Sequence, residues 1–215
     1  MMGFLQKVFG SEQEETKGTN FYEAVESRRS IYGISNEKVI SDERLKEVIE
    51  HAVKHTPSSF NSQSASVVVL TGESHKKLWD ITTETLRKIV PEDAFSETEN
   101  KMNGFKSGYG TVLFFENMDV VQSLQEQFPS YAENFPLWSL QSSGMLQHVI
   151  WTALEVEGYG ASLQHYNPLI DEEVKNEWNV QGNCKLIAQM PFGKPTSAPG
   201  EKTFKPLAER VSFYN

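Results

Sequence analysis

The sequence predicts one domain that mixes helices and strands, of α+β or α/β class, and three observations carry that reading. Apolar runs at 67–70, 112–115 and 185–190, with a further extended run at 161–168, are interleaved with helical patterns. No repeat or composition break divides the 215 residues, a length that buries roughly 70% of its unfolded surface in one core. Residues 137–157 form a long helix whose apolar positions, among them Trp138, Leu140, Met145, Leu146, Val149, Ile150, Leu154 and Val156, occupy more than one side. Such a helix must be covered on more than one side, as a central axis or as the seam of a dimer. The pattern alone leaves parallel and antiparallel pairing both open.

Residues 1–19, with Glu12, Glu14 and Glu15 among polar neighbours, are expected to be a mobile leader in which Phe4, Leu5, Val8 and Phe9 can form a short amphipathic turn. The domain is expected to span 20–215. Asn20 caps a first helix through Phe21, Ala24 and Val25, which ends at Arg28-Arg29-Ser30. Ser41 caps the clearest helix, with Leu45, Val48, Ile49, Ala52 and Val53 on one face, Asp42 and Glu43 at its start and His51 and Lys54 at its end, as the helix dipole favours. A loop of small hydroxyl and amide side chains follows at 56–64, then a strand at 67–70. A helix over 74–90 turns Leu78, Ile81, Leu86 and Ile89 inward and stops at Pro91, while 92–110 is polar and glycine-containing. A strand at 112–115 and a short helix at 120–128 precede the long helix, which Glu157 and Gly158 close. Beyond the extended run come a short helix at 171–178, a strand at 185–190 beside Cys184, a turn-rich stretch at 191–199 and a final segment bearing Lys202, Lys205 and Arg210.

Several chemistries are excluded. The formal charge of −9 and the even scatter of Lys and Arg argue against a nucleic-acid surface. Cys184 is alone, which excludes an internal disulfide and a multi-cysteine metal site and points to a reducing, cytoplasmic compartment. No run reaches the roughly 20 apolar residues of a membrane span, and no secretory signal is expected. GxSxG and Walker motifs are absent; Gly108-Tyr109-Gly110 and Gly158-Tyr159-Gly160 lack the third glycine and following helix of a dinucleotide fingerprint. His51 and His55 have metal-ligand spacing but no third or fourth ligand nearby, so they are expected to be a solvated helix end, and Cys184 a small core residue.

Polar loops able to hold a phosphate and a flat heterocycle remain. Arg28, Arg29 and Ser30 offer two guanidinium groups and a hydroxyl at a helix end, suited to bidentate bonding of a phosphate. Ser58, Ser59, Asn61 and Gln63 can bond the edges of a ring, and Asn103 and Lys106, three apart, share a direction if their stretch is helical. Taken one by one, each also fits an ordinary solvated helix end or turn.

Their order resembles the FMN-dependent nitroreductase family over about 21–211. The family's Arg-(Arg/His)-Ser appears at 28–30, its Pro-Ser-Ser-x-Asn-x-Gln at 57–63, its Asn-x-x-Lys at 103–106 and its late Lys-x-x-(Lys/Arg)-Pro-Leu at 202–207. The run Gly-Tyr-Gly-Ala-Ser-Leu-Gln-His-Tyr-Asn-Pro at 158–168 is similar to that of the fungal and copper-induced bacterial subgroup. Two departures stand out: Tyr32 and Phe204 occupy positions where many members carry a cation.

The resemblance implies an α+β fold, a three-layer α/β/α sandwich with a mostly antiparallel central sheet, in a homodimer. It implies FMN held by Arg28, Arg29, Ser30, Asn103, Lys106, Lys202 and Lys205, with Ser58, Ser59, Asn61 and Gln63 supplied by the partner subunit. Leu163, Gln164, His165 and Tyr166 would pass the flavin N5 edge and offer backbone N–H groups. The implied activity is an NAD(P)H oxidoreductase that reduces nitroaromatics, quinones or related small acceptors by alternating hydride transfers, with no side chain acting as an acid. Flavin-dependent reduction of another acceptor in stress or lipid metabolism, or a flavin-binding regulator with negligible turnover, is the alternative.

Overall fold

The long apolar runs of the sequence pair with one another. In a computed structural model, which describes residues 20–215, strands β1 (Ile34–Ser35), β2 (Ala65–Thr71), β3 (Gly110–Asn117), β4 (Gly160–Ala161) and β5 (Cys184–Pro195) form one sheet. The order is β1-β5-β3-β2, with β4 also on β5, and every strand pair is antiparallel. The leader expected at 1–19 lies outside the described residues.

Seven helices accompany the sheet among the described residues: α1 (Phe21–Ser27), α2 (Asp42–His55), α3 (Gly72–Arg87), α4 (Phe95–Lys106), α5 (Met118–Gln127), α6 (Phe135–Val156) and α7 (Asp171–Glu177). Asn20 and Glu23 form a reciprocal capping box on α1, and Ser41 caps α2 by accepting from the Arg44 amide. One face of the sheet packs Val112, Phe114, Ala188, Met190 and Phe192 against Leu45 and Ile49 of α2 and Leu146, Ile150 and Leu154 of α6. The other face packs Leu113, Phe115 and Leu186 against Leu78 and Trp79 of α3, Phe105 of α4 and Val174 of α7. The sheet is therefore the middle of three layers, as the resemblance implied.

Strand parity explains how one strand serves both layers. Opposite Phe114 and Phe115 of β3 the register on β5 slips by one residue, so Leu186 and Ala188 face opposite layers although two apart.

Three elements differ from expectation. Residues 92–110 contain the twelve-residue helix α4, whose inward positions Phe95, Met102 and Phe105 are too few among Glu97, Glu99 and Lys101 to read as a periodic face. The last strand runs on to Pro195 instead of stopping at 190; Pro191 removes one donor, but its carbonyl accepts from the Ser162 amide and Met190 and Phe192 stay paired. The two-residue strand β1 lies on an irregular stretch with no alternating pattern to announce it. Among the described residues no helix is long and apolar enough to cross a membrane.

Candidate cofactor-binding site

Three segments distant in sequence meet where β1, β4 and the end of β5 adjoin. Ser30 forms a parallel bridge with Ala161, and the Ile31 amide donates to the Ala161 carbonyl at 2.9 Å. The approach needs a glycine: a Cβ on Gly160 would stand 2.7 Å from the Ile31 side chain. The Thr196 amide donates to the Gly33 carbonyl, and Arg29 Nη2 donates to the Gly200 carbonyl at 2.6 Å, tying Gly200 to the Arg28-Arg29-Ser30 turn. Lys202 and Lys205 follow Gly200 by two and five residues, and both are exposed. Among the described residues none of Arg28, Arg29, Lys202 and Lys205 stands in an ion pair.

Arg28 is held inward. Its guanidinium lies 4.4 Å over the Trp151 ring of α6, and its Nε is buried with no partner among the described residues. Burial is the main influence lowering its pKa, with Arg29 adding to it and the Glu155 carboxylate opposing both.

The 163–166 run is pinned to β5 by alternate groups. The Gln164 amide donates to the Gln189 carbonyl at 2.7 Å and the Gln189 amide returns the bond at 2.9 Å. The Tyr166 amide donates to Gln189 Oε1 at 2.7 Å, and the Gln164 side chain bonds Ser162 Oγ at 3.1 Å. Because successive amides of an extended chain point to opposite sides, those of Leu163 and His165 face away from β5. Leu163 is half-buried and His165 exposed, while burial raises the Tyr166 hydroxyl to about 12, a neutral donor at any ordinary pH.

Lys106 ends α4 and sits near this region through its neighbour, since Ser107 Oγ donates to the Ile34 carbonyl at 3.0 Å. Its ammonium is ion-paired with Asp80 of α3, and Asn103 is exposed one turn earlier. Tyr32, at a position where the resemblance implied a cation, is exposed with its ring 6.5 Å from that of Phe105.

Residues 58–63 lie elsewhere. The Ser59 amide points at Ser142 Oγ of α6 at 3.4 Å, and the Phe60 ring lies 6.3 Å from Trp138 and 4.9 Å from Phe128. Phe60, Asn61 and Gln63 all have positive φ, near 50–56°, a conformation that costs energy for residues with a Cβ and that clusters at functional loops. Trp138 and Trp151 are 13 residues apart on α6, so roughly 20 Å separates this loop from Arg28 along the helix axis. Within one chain the predicted residues therefore fall into two groups.

Several contributors were not picked out from sequence. Trp151, Glu155 and Asp80 carry no local signal; Gln189, a polar residue inside an apolar strand and 0% exposed, does.

The family model for the nitroreductase family matches residues 25–194. The putative nitroreductase HBN1 of Saccharomyces cerevisiae is 34% identical over 91% of this chain and 97% of its own length, and the nitroreductase FRM2 of the same yeast is 34% identical over 86% and 93%. Among solved structures, the nitroreductase CinD of Lactococcus lactis, in complex with nicotinic acid, is 44% identical with a TM-score of 0.85, covering 91% of this chain and 100% of that one. By family match, identity and fold alike, the chain belongs to the nitroreductase family and is a nitroreductase-type oxidoreductase.

Proposed function

We propose that the protein is a homodimeric, FMN-dependent NAD(P)H oxidoreductase whose acceptors are nitroaromatics, quinones or similar flat molecules. The observation that carries this reading is the Arg29–Gly200 hydrogen bond, which ties Arg28-Arg29-Ser30 to the head of the segment bearing Lys202 and Lys205. An unpaired basic cluster with a buried, unpartnered Arg28 Nε fits a phosphate, which takes several charge-assisted hydrogen bonds at once. Bound there, FMN would supply the acceptance of hydride from a reduced nicotinamide and its delivery to a second acceptor in an alternating cycle.

The chain's own residues bind, orient and shield. Arg28, Arg29, Lys202 and Lys205 hold the phosphate, and Ser30 its neighbouring oxygens. The outward amides of Leu163 and His165 offer donors toward the ring, and Lys106 and Asn103 complete this side, with Lys106 first exchanging its bond to Asp80. Ser58, Ser59, Asn61 and Gln63 serve the partner's site, since in their own chain they sit too far from Arg28.

The dimer is supported by the exposed apolar side chains of α6. Its buried side holds Phe135, Leu146, Ile150 and Leu154, yet Leu137, Leu140, Met145, Val149 and Val156 remain 54, 47, 42, 39 and 46% exposed. Exposed apolar side chains along the whole of α6, interspersed with Gln141 and His148, fit a second copy of the chain. The Lactococcus lactis enzyme is known with nicotinic acid, chloramphenicol and 4-nitrophenol; all three ligands are aromatic and two are nitro compounds, which supports the acceptor class. A cytoplasmic setting belongs to the same reading, supported by the lone, buried Cys184.

The test is an absorption spectrum of the purified protein. Oxidised-flavin bands bleached by NADH or NADPH and restored by a nitroaromatic or quinone are expected. Protein that stays colourless after incubation with FMN and gel filtration overturns the proposal.

A further inference from the structure

Arg28 is the C-cap residue of α1, a position where a long side chain ordinarily sweeps through solvent. Here its guanidinium carbon lies 4.4 Å over the indole of Trp151, and its Nε is buried without a partner among the described residues. The Trp151 Nε1 is likewise buried and unpartnered, so the indole is set by its ring face and not by a hydrogen bond. Glu155, one turn further along the same side of α6, acts on Arg28 through space as an opposite charge. A cleft of about 420 Å³ lined by Ser27, Ile31, Glu155 and Thr196 opens beside them. A charged donor kept partly dry and left without a partner destabilises the folded chain, and a ligand that bonds it gives the arrangement a reason.

We propose that Trp151 is a positioning residue for cofactor capture: its ring holds the Arg28 guanidinium in place, so that an incoming phosphate meets an oriented fork. The inference rests on the reading of Arg28 as a phosphate ligand and adds a residue that does not touch the phosphate itself. Its physical basis is preorganisation. An arginine carries a large rotamer entropy, part of which must be given up when it binds, and stacking on an aromatic face removes that freedom beforehand. Indole is the strongest of the aromatic rings in this role, and the shielding at Trp151 strengthens the attraction.

The experiment compares FMN with riboflavin, which has the same ring and no phosphate, by titrating full-length apoprotein and following flavin fluorescence. Trp151→Leu is expected to weaken FMN binding about 5- to 10-fold while riboflavin binding stays within about twofold. Trp151→Phe, which keeps a ring face, is expected to recover most of the loss. If Trp151→Leu does not fold, Trp151→Met fills the space without a π face and carries the same expectation. Equal losses for both flavins would mark Trp151 as merely structural, and an unchanged FMN affinity would show that Arg28 needs no support; either overturns the inference while the FMN reading survives. A wild-type protein that binds FMN no more tightly than riboflavin instead removes the phosphate site, and the inference with it.

Discussion

The two faces of the sheet are covered differently. Toward α3, α4 and α7 the chain seals itself: Leu78, Trp79, Leu113, Phe115 and Leu186 are 0% exposed, and His75, Trp79 and Thr111 satisfy one another's polar groups at 2.9 and 3.1 Å. Toward α2 and α6 the sheet-facing residues Ile150 and Leu154 are buried just as fully, but Leu137, Leu140, Met145, Val149 and Val156 of α6 stay exposed. Buried polar atoms without partners among the described residues occur on both sides: Thr85 Oγ1 of α3 and Asp171 Oδ1 of α7 on one, and both carboxylate oxygens of Glu116 with the Ser64 hydroxyl at the base of the 58–63 loop. The residues predicted for the cofactor divide between the two faces: Asn103, Lys106 and Tyr166 lie toward α3 and α4, whereas Arg28 stacks on Trp151 of α6.

The largest expected effect comes from breaking the open face. In the proposed dimer Met145→Arg places like charges from two copies at the seam, and sedimentation at micromolar concentration is expected to show a folded monomer that does not retain FMN. A variant that remains dimeric would place the interface elsewhere on the molecule.

The two faces also titrate in opposite directions. Burial lowers the His75 pKa from 6.5 to about 4, so its stabilising contribution is fully present above 6.5 and is lost as pH falls toward 4, by up to about 3 kcal/mol. Burial raises the pKa of Glu116, whose contribution is therefore present in acid and lost as pH rises through that raised value. Urea unfolding from pH 7 to 4 is expected to show a loss of stability that steepens in Glu116→Gln, where the opposing group is gone. A shallower slope in that variant would contradict the assignment of the two signs.

The smallest effect belongs to the closed face. Thr111→Val strands His75 Nδ1 and Trp79 Nε1 together, at a cost of about 2 kcal/mol in thermal unfolding with no change in oligomeric state. A shift of the dimer equilibrium would mean that the faces are not independent.

Much of the fold was legible because its signals are local. Ser41 and the spacing of Leu45, Val48, Ile49 and Ala52 predict α2 to within a residue, and the buried middle of β3 reads directly from its apolar run. Helix α4 was hidden because its outer face is charged and only three of its twelve residues are buried. The continuation of β5 through Pro191 was hidden because the carbonyl partner that compensates the missing donor, Ser162, lies 29 residues away. For the site, the basic residues at both ends of the chain were visible as motifs, but the indole beneath Arg28 and the glutamine that anchors Tyr166 were not, since neither follows from its neighbours in sequence.

The sequence by itself determined where the helices cap, which strands are apolar on both sides and which segments carry positive charge, because each depends on residues a few positions apart. Only the tertiary structure decided that Arg29 meets Gly200 across 171 residues, that Lys106 rests on Asp80, and that one flank of α6 stays bare. Those outcomes depend on how the sheet orders its strands and on how many helices remain to cover it, and no short window of sequence contains that information.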